Sequence, residues 1–171
     1  MLCNSFELLQ RFLHYNNIEE LVRRGKDGYN PLFKIQCLLD IVNPTYDRWF
    51  HPECDLSLDE SMVKFKCRLA LRQYLPAKPT TWVIKQFVLT EAKSGSCLKS
   101  VVYSGKTSFG RVAGVSLSEQ VVLSLIEGYE RKGHIVHLDD FYSAPILFKK
   151  LEEMNIGACG TVKVNRKQMP K

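Results

Sequence analysis

Two aspartates each close a short strand-like run: Asp59 after Leu56-Ser57-Leu58, where apolar and polar residues alternate, and Asp139 after His134 to Leu138. Carboxylates brought together at one end of a sheet suit Mg²⁺ or Mn²⁺, hard cations that prefer oxygen ligands and keep several of their waters. Two such ions about 4 Å apart stabilise the attacking and leaving oxygens of a phosphoryl displacement. An isolated aspartate is more often a cap or a solvated strand end, so the pair has chemical meaning only if the fold makes neighbours of Asp59 and Asp139.

The elements that would do so are readable from the periodicity. Phe6, Leu9 and Leu13 recur at helical spacing, which predicts an amphipathic helix over 5–14. Asn30-Pro31 is an N-cap followed by proline at the first helical position, and Leu32, Ile35, Leu39 and Val42 carry an apolar stripe as far as Pro44. Beyond His51-Pro52 the period changes to two. Strands are expected at Leu56–Asp59, Met62–Lys66, Trp82–Thr90 and Cys97–Tyr103. Ser116-Leu117-Ser118-Glu119 is a capping box that opens a helix, with Arg131-Lys132-Gly133 as its expected cationic last turn and C′ glycine. A strand over 134–139, a helix opening at Ser143-Ala144-Pro145 and a strand over 158–164 complete the chain.

Strands, then helix, strand, helix, strand is the order of an α/β, ribonuclease-H-like mixed sheet, in which the last two strands join only through crossovers. In that topology the strands of Asp59 and Asp139 lie side by side. The expected organisation is a helical N-terminal segment, 1–54, followed by a partial ribonuclease-H-like domain, 55–171.

Charge points to a partner. Of 24 lysines and arginines, six (Lys64, Lys66, Arg68, Arg72, Lys78, Lys85) fall in 61–90, which holds no acidic residue; the other 18 equal the 18 acidic residues, so the whole excess of +6 sits in this stretch. Phe65, Tyr74, Trp82 and Phe87 lie among these cations, and cations for phosphates with rings for unstacked bases describe a nucleic-acid surface. A solvated strand face would have the same composition.

Other chemistries are excluded or weak. Six cysteines without a C-x-x-C pair support neither a zinc knuckle nor a redox motif and are expected as reduced thiols. Nothing near Met1–Gln10 resembles a signal peptide, and no apolar run is long enough to span a membrane. His134 and His137 are three apart on a strand and point to opposite faces, so they are not a ligand pair. There is no Walker loop, nucleophile elbow or dinucleotide fingerprint.

A run of motifs resembles one family. Leu56-Ser57-Leu58-Asp59-Glu60-Ser61-Met62, Phe65-Lys66, Arg68, Arg72 to Pro79 and Ile84-Lys85 are similar to the opening of the piggyBac transposase catalytic domain. Val102 to Lys106, Asp139-Asp140-Phe141-Tyr142-Ser143, and Gly160-Thr161-Val162 with Asn165-Arg166-Lys167 are similar to its later segments, and Arg11 to His14 to its helical lead-in. The resemblance implies that Asp59 and Asp139 are the first two catalytic aspartates and hold Mg²⁺ or Mn²⁺. It also implies that Lys64, Lys66, Arg68, Arg72, Lys78 and Lys85 face DNA at transposon ends, and that the protein works in the nucleus.

The chain departs from the family at Cys67 and Val83, where glycine is usual, and at Asp140, where asparagine is. In that family the third aspartate lies on a helix beyond the last strand matched here. The expectation is therefore a transposase-derived chain that is catalytically incomplete. The alternatives are a DNA-binding or interaction protein using 61–90, and a residual nuclease with Glu119 or Glu127 as ligand, although these two read first as a capping and a solvated residue. Apolar sheet surface at Trp82, Phe87 and Val101 is expected to be partly uncovered, with self-association as the result.

Overall fold

The computed structural model describes residues 3–66, 69–76, 80–105, 108–109, 114–166 and 168–169. The chain divides into two compact units, Met1–Thr45 and Tyr46–Lys171.

In the first unit, α1 (Cys3–Phe12) is followed by a 3₁₀ turn at Ile18–Glu20 and by α2 (Phe33–Trp49), whose last residues belong to the second unit. Asn30 Oδ1 accepts the Leu32 N–H at 2.8 Å in a turn that leads into α2, but the first helical residue is Phe33 rather than Pro31, so Asn30 is not the N-cap. The helix does not stop at Pro44 as its apolar stripe suggests. Proline removes the N–H that would have met Asp40 O, yet the turns continue through it to Trp49.

The second unit is built on a mixed sheet. Its strands are β1 (Asp55–Lys64), β2 (Arg72–Tyr74), β3 (Trp82–Glu91), β4 (Cys97–Val102), β5 (Ile135–Leu138) and β6 (Gly157–Gly160); α3 (Leu117–Ile126) and α4 (Pro145–Glu153) are the crossovers. β1 runs antiparallel to β3 from Leu56↔Glu91 to Lys64↔Val83, and β2 and β4 share the other edge of β3. β5 lies parallel to β1, and β6 parallel to β5. This is the expected order, with one short strand more. Leu56–Asp59 and Met62–Lys66, read as separate strands, belong to a single strand. Backbone pairing to β3 carries it through the polar Glu60-Ser61.

The core lies on one face, where Leu56 and Leu58 of β1, Phe87 and Leu89 of β3 and Val136 and Leu138 of β5 meet Val121, Val122, Leu125 and Ile126 of α3 and Leu147 and Leu151 of α4. Each such side chain contributes about 1.5–3 kcal/mol on burial. Phe87 is 1% exposed and belongs to the core, whereas Trp82, at 40%, is open to solvent and Val101 is only partly buried against the cluster, so the surface expected to be uncovered is confined to these two. α3 starts where the capping box puts it, with Ser116 Oγ accepting the Glu119 N–H at 3.3 Å. It ends seven residues before Gly133. Glu127 (φ −53°, ψ 125°) and Gly128 (φ 94°) form a type II turn closed by Tyr129 N–H to Ile126 O at 2.9 Å, and only glycine holds that positive φ at no cost. Among the described residues no helix is long and apolar enough to cross a membrane.

Candidate metal and nucleic-acid site

The β1–β5 register ends at Leu58↔Leu138, so the next residue of each strand path is one of the two predicted aspartates. Parallel neighbours lie about 5 Å apart, which makes Asp59 and Asp139 adjacent at the point where β5 gives way to a turn. Both are exposed. Each uses one oxygen locally: Asp59 Oδ1 accepts the Glu60 N–H at 2.7 Å, and Asp139 Oδ1 accepts the Phe141 N–H at 2.9 Å. The other oxygen of each has no hydrogen-bond partner, and neither carboxylate has an ion pair, among the described residues.

Beneath them lies Tyr142, 1% exposed, with its ring edge-on to Phe87 and Phe141. Its buried hydroxyl has no hydrogen bond of good geometry. Burial pushes its pKa up, and the negative charges of Glu60, Asp139 and Asp59 push it further, so the phenol stays protonated. Glu60, however, is not available: on the alternate face of β1 from Asp59, it pairs with Lys85 at 2.6 Å, the two side chains being 19% and 16% exposed.

Two adjacent carboxylates with spare oxygens and no counter-cation fit a hard divalent ion, which would take Asp59 and Asp139 as ligands. Among the described residues no third His, Cys, Asp or Glu completes a cluster with them. Glu119 is committed elsewhere, its carboxylate pairing with Lys150 of α4 at 2.6 Å. Glu127 stands in the turn after α3.

The six predicted DNA-facing cations fare differently. Lys64 and Lys66 are exposed at the end of β1. Arg72 donates to Lys66 O at 3.1 Å and lies 3.8 Å over the Trp82 ring, which in turn packs on Tyr74 at 4.7 Å between centroids. Arg68 and Lys78 lie outside the described residues, as do Cys67, Lys106 and Lys167. Lys85 is held over the rings of Phe87 and Phe141, at 4.7 and 5.3 Å, while it pairs with Glu60. Of the four aromatics read with them, Tyr74 and Trp82 are open to solvent at 56% and 40%, Phe65 is half-buried, and Phe87 is core.

Two of the departures find a physical answer. Val83 is fully buried in β3 and has no positive φ, so its β-carbon carries no strain. Asp140 faces Lys163 Nζ at 3.6 Å, which offsets the charge it adds beside Asp139. Sequence reading passed over Arg166 as a working residue: its guanidinium donates to the backbone carbonyls of Asp140 and Phe141. Only the Asn165-Arg166-Lys167 motif pointed near it.

A mixed sheet of this order, with one aspartate in β1 where its pairing to β5 ends and another directly after β5, is consistent with the ribonuclease-H-like core of DDE transposases. The family described as Transposase IS4 matches residues 1–171, and the chain belongs to this IS4/piggyBac-type DDE transposase family. The cryo-EM structure of piggyBac transposase in a synaptic complex with hairpin DNA is similar to it in fold, with a TM-score of 0.87 and 22% identity. The match covers 99% of this chain and 35% of that one, so the chain spans about a third of that transposase's length. Intact members of a DDE family require a divalent metal.

Proposed function

We propose that this chain derives from a metal-dependent cut-and-paste DNA transposase, supplies two of its catalytic carboxylates, and by itself does not cleave DNA. The observation that carries this reading is the placement of Asp59 beside Asp139, each with one uncommitted oxygen, and no third ligand among the described residues. A bound divalent ion would polarise a phosphodiester and neutralise charge as it is attacked. The chain's part is to hold the two carboxylates side by side, with their orientation set by backbone N–H donors. Positioning and charge neutralisation supply nearly all of the acceleration in phosphoryl transfer, and misplacing a reacting group by about 1 Å costs about a hundredfold. Two ligands hold one ion loosely.

The test incubates the purified chain with labelled duplex carrying a transposon end, with Mg²⁺ or Mn²⁺, beside the Asp59→Ala/Asp139→Ala double variant. We expect weak Mn²⁺ binding by calorimetry that either single substitution abolishes, and neither hairpin formation nor strand transfer. Metal-dependent cleavage absent from the double variant would overturn the incompleteness. Absence of any Mn²⁺ binding would overturn the metal site.

A second reading, retention as a DNA-binding protein, is favoured by the exposure of Lys64 and Lys66 beside Trp82 and Tyr74. Binding should weaken steeply with salt, and replacing Lys64, Lys66 and Arg72 by Ala should reduce the slope of log K against log [salt] by about 0.9 per lost phosphate contact. An unchanged slope would make these residues a solvated face.

A further inference from the structure

Arg166 stands in the segment that follows β6, and its Nη2 donates to two consecutive backbone carbonyls, those of Asp140 and, at 3.0 Å, of Phe141. The Asp140 carbonyl belongs to the same peptide unit as the Phe141 N–H. That N–H is the group that donates to Asp139 Oδ1 at 2.9 Å. A trans peptide is planar, with its C=O and N–H pointing in opposite directions, so whatever fixes the carbonyl fixes the amide. We infer that Arg166 is a positioning residue for Asp139: by holding the Asp140–Phe141 peptide it aims the N–H that pins Oδ1, and leaves Oδ2 turned out for a cation. This rests on the reading of Asp139 as a metal ligand.

Other contacts to the turn do not substitute for this one. The Lys163–Asp140 pair is long, at 3.6 Å, with both side chains about half exposed, and such pairs hold little. The Ser143 N–H to Asp139 O bond, at 3.1 Å, closes the turn but leaves the intervening peptide free to rotate. Both bonds leave one nitrogen, Nη2, whose N–H groups are fixed in the guanidinium plane, whereas an ammonium's donors rotate on a flexible stem. Its Nε is buried with no partner among the described residues, so the side chain is committed to these carbonyls at the expense of its own hydrogen bonding.

Charge and positioning predict opposite signs, which makes the inference testable. Removing a cation near a metal site strengthens cation binding if only Coulomb forces act; removing a group that orients a ligand weakens it. The experiment compares the full chain with Arg166→Gln, Arg166→Lys and Lys163→Gln, measuring Mn²⁺ affinity by calorimetry and Phe141 amide exchange by NMR, with thermal melts to confirm folding. Arg166→Gln should lose roughly tenfold in Mn²⁺ affinity, the lower end of what ligand-orienting partners contribute. Its Phe141 amide should exchange roughly tenfold faster, while amides of β5 stay unchanged. Lys163→Gln, of equal charge change, should bind Mn²⁺ at least as tightly as the parent. If Arg166→Gln fails to fold, Arg166→Lys carries the comparison, since it keeps the charge and loses the planar N–H pair. Equal or tighter Mn²⁺ binding by a folded Arg166 variant overturns the inference, and so does an unchanged Phe141 exchange rate. If the parent chain binds no Mn²⁺, the metal reading falls, and the Phe141 exchange rate alone decides whether Arg166 sets the amide.

Discussion

At the start of β1 the carboxylates are answered: Glu53 by Lys93 at 3.0 Å, Asp55 by His137 at 2.8 Å, and Glu91 by the Glu53 N–H at 2.8 Å and the Ser94 hydroxyl. Four residues along the same strand Asp59 has only the N–H of its successor, and Asp139 beside it only an N–H of its own turn. The two regions share a sheet and differ in what their acids are for. Acids at the first end tie the β3–β4 connection and β5 to β1. At the second, two like charges stand side by side without an ion-pair partner among the described residues, an arrangement that costs stability and makes sense where an ion is to be received.

The largest effect should come from disturbing the frame of the second region. A β-carbon at Gly160 would sit 2.2 Å from Leu138 O and 2.6 Å from Ser143 Oγ, and neither backbone nor buried hydroxyl can yield cheaply. Gly160→Ala should part β6 from β5 at the residue before Asp139, costing about 1–3 kcal/mol in urea unfolding and weakening Mn²⁺ binding with it. An unchanged midpoint would mean that the strands are looser there than the structure has them.

Next in size is the pair between the regions. Lys85→Met leaves the Glu60 carboxylate, 19% exposed, without its cation, and should cost about 2 kcal/mol, between the values for exposed and fully buried pairs. Glu60→Gln added to it should recover most of the loss. The DNA salt slope should not change, because Lys85 is not presented to phosphates. A changed slope with unchanged stability would return Lys85 to the DNA-facing set.

Near zero, by contrast, is the expected stability change for Asp59→Asn or Asp139→Asn. Each keeps an oxygen for its backbone N–H and loses no ion pair, so the unfolding free energy should move by no more than about 0.5 kcal/mol, upward where like-charge repulsion is relieved, while Mn²⁺ binding disappears. A large destabilisation would show that these aspartates, like those at the start of β1, are structural.

What the sequence made legible follows the same division. The adjacency of Asp59 and Asp139 was readable because strand order alone determines it, and the start of α3 because Ser116 and Glu119 form a local signal. The end of α3 was not, since Gly128 and Gly133 both take positive φ and only tertiary packing decides which one stops the helix. β2 is three residues long and has no period to read. Lys85 was counted with the free cations because its partner Glu60 stands one residue outside the basic stretch and meets it only across the β1–β3 pairing. Arg166 acts on backbone atoms, which leave no trace in residue types.

The effect that tests the first region is pH dependence at Glu91. The Glu53 N–H donates to its carboxylate, the Ser94 hydroxyl does the same, and the Lys93 charge adds to them, so its pKa lies below the ordinary 4.5 despite an opposing contribution from burial. A carboxyl with a lowered pKa in the folded state takes its proton first in the unfolded chain, so its stabilisation is complete above the ordinary value and lost as pH falls through the folded one. Glu91→Gln removes that dependence. Parent and variant should therefore differ most in melting temperature at neutral pH and converge as the solution is acidified below the ordinary glutamate range, with Glu53→Gln, which keeps the backbone N–H, altering the profile less. A gap between parent and Glu91→Gln that stays constant on acidification would mean that Glu91 acts through packing alone, and that the two ends of β1 do not differ in the way their hydrogen bonds imply.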